Sequence, residues 1–457
     1  MAEASTPDSR RRRLPVLLGR LVTIEPGEMR ASLLAFTFFF FLLASYFILR
    51  SIRDAIGVAA GTAKLPWLFT GTLIATLLAN PLYASLVSRV PVRRFIPIVY
   101  RVFASMLIVL SATLYLSGPA QEKFLGPTFW IFISVFSLFV PSVFWGFMAD
   151  TFHADQGKRL YGFIGVGGTL GGMFGSKFTS LLATTVGTPV LMLVSVVMLE
   201  CAVQTIRRFP PSFRAETRDR EAAQRSVGGS SLAGITHVLR SPYLLGICAF
   251  MLLFTIGTTV LYFQQAVIVG ARYSDRESRT AFLANIDFYV QLLTVLAQLF
   301  ISGRVIKWLG VGMTLAILPL ISVIGFGALS VFSSLTLFVA FNVLRRAGNY
   351  AFANPGRELL FSVIPPEDKY KAKNFIDTFA YRSGDQIGAW SYAALAAGGL
   401  AVSSISLIAA PMSAVWLGVA LWLGRRQATM QAAEAREAPT TPTQPGIAPL
   451  VTRMNPS

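Results

Sequence analysis

Apolar runs long enough to cross a lipid bilayer recur along this chain, and few folds accommodate them. The first extends from Ala31 to Leu49. A helix needs about 20 residues to cross about 30 Å of hydrocarbon. On that measure the sequence predicts about twelve spans, near 30–51, 64–88, 95–117, 125–150, 160–185, 187–206, 242–267, 280–303, 310–332, 334–362, 372–397 and 401–424. With 54% hydrophobic and 14% charged residues and a mean hydropathy of +0.60, the chain is too apolar for an ordinary soluble globule. The expected fold class is an all-α membrane protein of two six-helix halves.

Several charges fall where lipid disfavours them. Arg50, Arg53 and Asp54 end the first run, and later runs carry Arg101, Lys177, Asp287, Arg357, Arg382 and Asp385. An ionisable side chain at bilayer depth costs about 2.5–3.5 kcal/mol even on lenient insertion scales, so it normally faces a bundle interior or an aqueous cavity. A chain with many such residues encloses a polar pathway.

The formal charge of +18 raises the possibility of nucleic acid, but its distribution points to a bilayer. Arg10 to Arg13, Arg89, Arg93, Arg94, Lys158, Arg159, the 207–240 loop, Arg304, Lys307, Lys369, Lys371, Lys373, Arg425 and Arg426 fall on one side of the predicted ladder. That is the positive-inside pattern, with both termini cytoplasmic and no nucleic-acid partner expected. The loop carrying Arg272, Arg276 and Arg279 is an exception, partly offset by Asp275 and Glu277. The basic Ser9 to Arg13 segment resembles a targeting region, but a full spanning helix after a polar gap reads as a retained topology anchor. Compact loops and no plastid-like leader fit a bacterial inner membrane. Cys201 and Cys248 lie within apolar runs, where packing is the plain reading, and no disulfide, metal or cofactor is expected.

The chain divides at 207–240, which holds Pro210, Pro211, arginines from Arg207 to Arg225 and then Gly228 to Ser231. The expected organisation is a basic N-terminus (1–29), a first half (30–206), a cytoplasmic linker (207–240), a second half (241–426) and a disordered tail (427–457). A weak repeat supports it. Asp155, Lys158, Gly171 and Gly175 recur as Asp368, Lys371, Gly384 and Gly388 at a constant displacement of 213 positions. Two halves in parallel repeat are the architecture of the major facilitator fold, with a substrate site between them.

Individual constellations sharpen this. Arg50 and Asp54 stand four apart and can pair on a helix. Two readings of the cluster stand: a helix end at the water interface, or Arg53 presenting its planar fork to phosphate or carboxylate oxygens. The stretch 334–362 is unusually polar, with Asn342, Arg345, Arg346, Asn349, Tyr350, Asn354, Arg357 and Glu358, while Pro355 removes a helical hydrogen bond. Part of it could equally be a cytoplasmic helix end. Asp377, Tyr381, Arg382 and Asp385 follow, and Arg382 with Asp385 has the spacing of a gate pair. Arg101 and Glu200 are candidate partners of other buried charges. The Gly165 to Gly175 run lacks the strand and spacing of a dinucleotide loop; its small-xxx-small steps instead let helices approach closely. His153 and His237 offer no metal pair, and no nucleophile elbow or phosphate loop is present, so the chain is not expected to be an enzyme.

Tyr46 to Asp54 (YFILRSIRD) and Phe144 to Tyr161 (FWGFMADTFHADQGKRLY) resemble segments of the nucleotide transporter family, the ATP/ADP translocases of plastids and intracellular bacteria. Asn342, Leu344, Tyr350, Pro355, Glu358, Lys369, Lys371, Lys373, Ile376, Asp377 and Gly384 match a third segment at the family's spacing. The departures from that pattern are specific. Arg53 and Arg357 replace lysines and keep the charge, Gln264 or its neighbour replaces a Glu, Asn349 replaces a Lys, and Asp385 reverses the Lys of a Gly-Lys-Ser motif. A cation turned to an anion beside a polyphosphate argues for an altered substrate or site.

The resemblance implies a monomeric transporter moving a nucleotide or related phosphorylated anion by alternating access, as ATP:ADP exchange or proton-coupled uptake. Arg50, Arg53, Lys177, Tyr350, Arg357 and Arg382 are the candidate substrate residues. Asp54, Asp150, Asp287, Glu358, Asp377 and Asp385 are the candidates for gating or coupling. The alternatives are a proton-coupled facilitator of a non-nucleotide solute, favoured by balanced internal charges, and a non-transporting membrane sensor or scaffold.

Overall fold

Hydrocarbon leaves no water for backbone groups, so a chain of this hydropathy folds as helices that satisfy their own hydrogen bonds. The computed structural model describes residues 25, 27–89, 92–116, 119–210, 238, 241–332, 334–364, 372–373 and 375–437. Its helices are α1 (Met29–Arg89), α2 (Val92–Leu116), α3 (Pro119–Thr151), α4 (Ala154–Arg207), α5 (Pro242–Arg272) and α6 (Arg276–Ala297). They continue with α7 (Gly303–Val331), α8 (Leu335–Gly348), α9 (Asn354–Leu360), α10 (Tyr381–Ala397) and α11 (Val402–Glu437). Single π-helical turns lie at Gln298–Ser302, Asn349–Ala353 and Ile376–Ala380.

The expected twelve spans in two six-helix bundles are corrected to seven. Among the described residues, the helices long and apolar enough to cross a membrane are Met29–Pro81, Phe95–Leu116, Phe124–Thr151, Arg159–Arg207, Pro242–Arg272, Arg276–Val331 and Val402–Ala433. At or next to three of the expected breaks between spans, two helical segments meet directly at a kink, each on one non-helical residue. Those residues are Gly61, Gly187 and Gly310, at φ of 70°, 75° and 73°, a left-handed conformation that glycine alone adopts without a Cβ penalty. The expected spans at 334–362 and 372–397 are cut by π-helical turns, leaving α8 with 14 residues and α10 with 17. Helix α11 also continues to Glu437, beyond the boundary expected at 426. Positions 211–237 of the expected linker and 438–457 of the tail lie outside the described residues.

One buried apolar cluster is built entirely from residues before 210, and another entirely from residues 238 onward. A third joins the two parts of the chain: Ala55, Val58, Leu65, Leu68 and Trp130 pack with Val260, Phe263, Val290 and Phe326. Polar ties reinforce that junction. Thr70 Oγ1 donates to Gln386 Oε1 at 2.9 Å, and the Trp67 and Trp390 rings stand edge to face at 5.0 Å. Outside the spans, Asp275 caps α6 by accepting from the Ser278 N–H at 2.7 Å, a bond that holds its carboxyl below the usual range.

The glycine run serves close packing, as its spacing predicts. A Cβ at Gly167, Gly171 or Gly175 would strike the carbonyl oxygens of Phe36, Phe40 and Ala44, so α1 and α4 touch along their backbones. Ser45 and Ser195 hydroxyls share a buried 2.6 Å hydrogen bond across the same interface. Gly171→Val should therefore cost about 1–3 kcal/mol or more through overpacking. Gly162→Ala is the control, because a Cβ there meets nothing within 4 Å. Equal thermal stability of the two variants in detergent would contradict this account.

Candidate functional site

A cavity of about 310 Å³ opens between α1, α3, α5, α8 and α10, at the lower end of the range for small-molecule sites. Its wall carries Arg50, Arg53, Arg345, Arg346 and Arg382 with Asp54 and Asp385. Tyr46, Phe69, Trp130, Tyr262, Tyr350 and Tyr381 supply ring surfaces. Cations, two carboxylates and aromatic faces thus meet in one cavity.

Helix α1 presents the first group because residues 50, 53 and 54 share a face at helical spacing. Arg53 donates through Nε and Nη2 to Asp54 Oδ1 at 3.0 and 2.6 Å, and its guanidinium lies 5.7 Å from the Trp130 ring centre. Asp54 also accepts from the Tyr262 hydroxyl at 3.1 Å, which ties α1 to α5. Arg50 stands 3.6 Å from Asp54 and 3.6 Å from Asp287. Asp287, buried on α6, also accepts from Arg346 Nη2 on α8 at 2.5 Å. Three helices are therefore joined through one carboxylate.

The neighbouring arginine on α8 behaves differently. Arg345 is only 2% exposed, and no carboxylate faces it among the described residues. It donates to Ser322 Oγ at 3.0 Å, Thr258 Oγ1 at 3.0 Å and the Phe254 carbonyl at 3.2 Å. The Phe254 and Trp416 rings lie 5.6 and 5.9 Å from its guanidinium carbon. A buried cation held only by neutral acceptors and ring faces is costly unless something else supplies negative charge. In the same wall, Arg382 and Asp385 pair at 3.6 Å, and Thr259 Oγ1 donates to Asp385 Oδ1 at 3.3 Å.

Of the residues singled out in the sequence, Arg50, Arg53, Asp54, Tyr350, Arg382 and Asp385 line this cavity, and Asp287 stands directly behind it. The others lie elsewhere. Lys177 sits 5.2 Å over the Phe288 ring and lines a separate recess between α4 and α6. Arg357 stands 3.5 Å from Asp377 and 4.0 Å from Glu358, which Lys373 meets at 2.6 Å. That cluster is outside the cavity wall. Asp150 is exposed at the end of α3. Arg101 and Glu200 pair with each other at 2.7 Å. The π-helical turn before Pro355 carries Tyr350, whose carbonyl accepts from Gln298 Nε2 at 3.2 Å. Arg345 and Arg346 were visible in the sequence only as part of a polar stretch. Among the described residues no group of His, Cys, Asp and Glu could hold a metal ion.

A charged, aromatic-lined cavity between the helices of a membrane protein is the arrangement of a small-molecule site. The model of the TLC ATP/ADP transporter family matches residues 128–428, and the chain belongs to that family. It is similar to ADP,ATP carrier protein 1 of Chlamydia trachomatis serovar D, with 22% identity over 80% of this chain and 82% of the relative. The protein of the same name from Chlamydia muridarum is 24% identical over the same shares. Among solved structures, the fold is similar to a D-xylose-proton symporter, with a TM-score of 0.62 and 14% identity over 86% of this chain and 97% of that one. It is also similar to the nucleoside transporter NupG, at 0.58 and 11% over 88% and 99%. The chain is an integral membrane protein of a kind found in bacteria, and its role is transport of a small solute rather than catalysis.

Proposed function

We propose that this transporter carries a nucleotide or a related phosphorylated anion through the arginine-lined cavity by alternating access, from a bacterial inner membrane. The observation that carries the reading is Arg345, a buried guanidinium that no carboxylate faces among the described residues. Its planar fork suits phosphate oxygens, and the ring faces of Tyr350 and Trp130 in the same wall suit a base. Opening the Arg50–Asp287–Arg346 bridge would free two further cations for the cargo. The family membership and the carrier relatives support the same class of substrate. In this reading the termini are cytoplasmic, as the basic residues suggest, and the unit is a monomer. Arg357, Glu358 and Asp377, set apart from the wall, act as a gate. The same geometry gives Lys177 and Asp150 no direct contact with the cargo.

The test is counterflow into proteoliposomes preloaded with unlabelled nucleotide. Saturable entry of labelled nucleotide above empty-vesicle controls is the expected result. One observation favours a second reading, a proton-coupled carrier of another solute: Arg50, Arg53, Arg346 and Arg382 already face carboxylates. Uptake that follows an imposed pH gradient and ignores every added nucleotide would select it.

A further inference from the structure

The charge of the cavity bounds the charge of its cargo, and this step rests on the nucleotide reading above. Five arginines line the wall. Against them stand Asp54 and Asp385 in the wall and Asp287, ion-paired to two of those arginines from behind. With each paired group ionised, two positive charges remain uncompensated. A low-dielectric site binds most tightly the ligand that neutralises it, and each surplus or missing charge at close range is penalised.

Arg345 shows where the compensating charge would sit. A guanidinium has five N–H donors, and three of those on Arg345 go to Ser322, Thr258 and the Phe254 carbonyl. The remaining two lie one on each terminal nitrogen, the arrangement that grips two oxygens of one planar or tetrahedral anion. Asp385, in the same wall, lowers the net charge and opposes a longer, more highly charged chain of phosphates.

We infer that the preferred cargo is a dianion of the phosphate-monoester class, such as a nucleoside monophosphate, anchored on Arg345, and that Asp385 sets this charge preference against di- and triphosphates.

The experiment compares labelled AMP, ADP and ATP in counterflow with the full-length protein in liposomes, for the wild type and for Asp385→Asn. The wild type should exchange AMP with at least a tenfold advantage over ADP and ATP. Asp385→Asn adds one positive charge and should shift the ratio toward ADP by about tenfold to a hundredfold. Arg382→Gln removes one positive charge from the same pair and should leave AMP favoured over ADP even more strongly, which keeps the test open should the first variant fail to fold. Wild-type preference for ADP or ATP, or equal losses for all three substrates in both variants, would overturn the dianion inference and leave the nucleotide reading standing. Failure of folded wild-type protein to move any of the three would overturn both.

Discussion

Asp287→Asn is expected to be the most destabilising single change around the cavity. The carboxylate is 2% exposed and holds Arg346 at 2.5 Å and Arg50 at 3.6 Å. Asparagine keeps the shape but leaves Arg346 with no carboxylate at ion-pair distance among the described residues, while Arg50 retains Asp54. Removing one partner of a buried ion pair typically costs about 3–5 kcal/mol, because the stranded charge keeps its desolvation penalty. A drop of several degrees in the unfolding temperature in detergent is the direct readout. The bridge also joins α1 to α6 and α8, so its loss should separate the two parts of the chain. Cysteines introduced as Thr70→Cys and Gln386→Cys, whose native side chains are 2.9 Å apart, should then cross-link more slowly. Combining Asp287→Asn with Arg346→Gln should recover much of the stability, since the charge left stranded is removed with its partner. Unchanged stability and unchanged cross-linking in the single variant would refute the bridge as a tie.

How much of this was legible in the sequence depends on the range of each interaction. The Arg50–Asp54 and Arg382–Asp385 pairs follow from helical spacing and are present at 3.6 Å each. The Gly167–Gly171–Gly175 stripe likewise announced a close helix contact before its partner, the Phe36 to Ala44 face, was known. What spacing does not give is azimuth. Lys177 read as a substrate residue because an isolated cation in an apolar helix must avoid lipid, yet its solution is the Phe288 face. Arg345 and Arg346 make the same point more sharply. Adjacent residues on a helix project about 100° apart, so one meets Asp287 and its neighbour, among the described residues, meets neutral groups. The span count failed for a related reason. The breaks between spans expected near 61, 187 and 310 are kinks, where a single glycine of positive φ lets a second helical segment start at once.

Arg345 carries the second large effect, and here stability and transport should move in opposite directions. Its guanidinium is buried among Ser322, Thr258, Phe254 and Trp416 with no carboxylate facing it among the described residues. A residue kept there for stability alone is a poor choice, since a well-packed apolar side chain of similar length is often neutral or stabilising by about 1–4 kcal/mol at such sites. Arg345→Met should therefore yield folded protein with an unfolding temperature equal to or above that of the wild type. Transport should nevertheless fall at least a hundredfold, because the anion loses its anchor. Arg345→Lys keeps the charge and loses the two-pronged donor geometry, so it should raise the half-saturating substrate concentration about tenfold or more while retaining measurable exchange. The pair of variants separates the roles. If Arg345→Met unfolds at markedly lower temperature and Arg345→Lys restores both stability and full transport, the arginine is a structural cation whose neutral partners suffice. If Met preserves the fold and silences exchange, the uncompensated charge exists for the cargo, and the helix register that sets Arg345 apart from Arg346 is what builds the binding site.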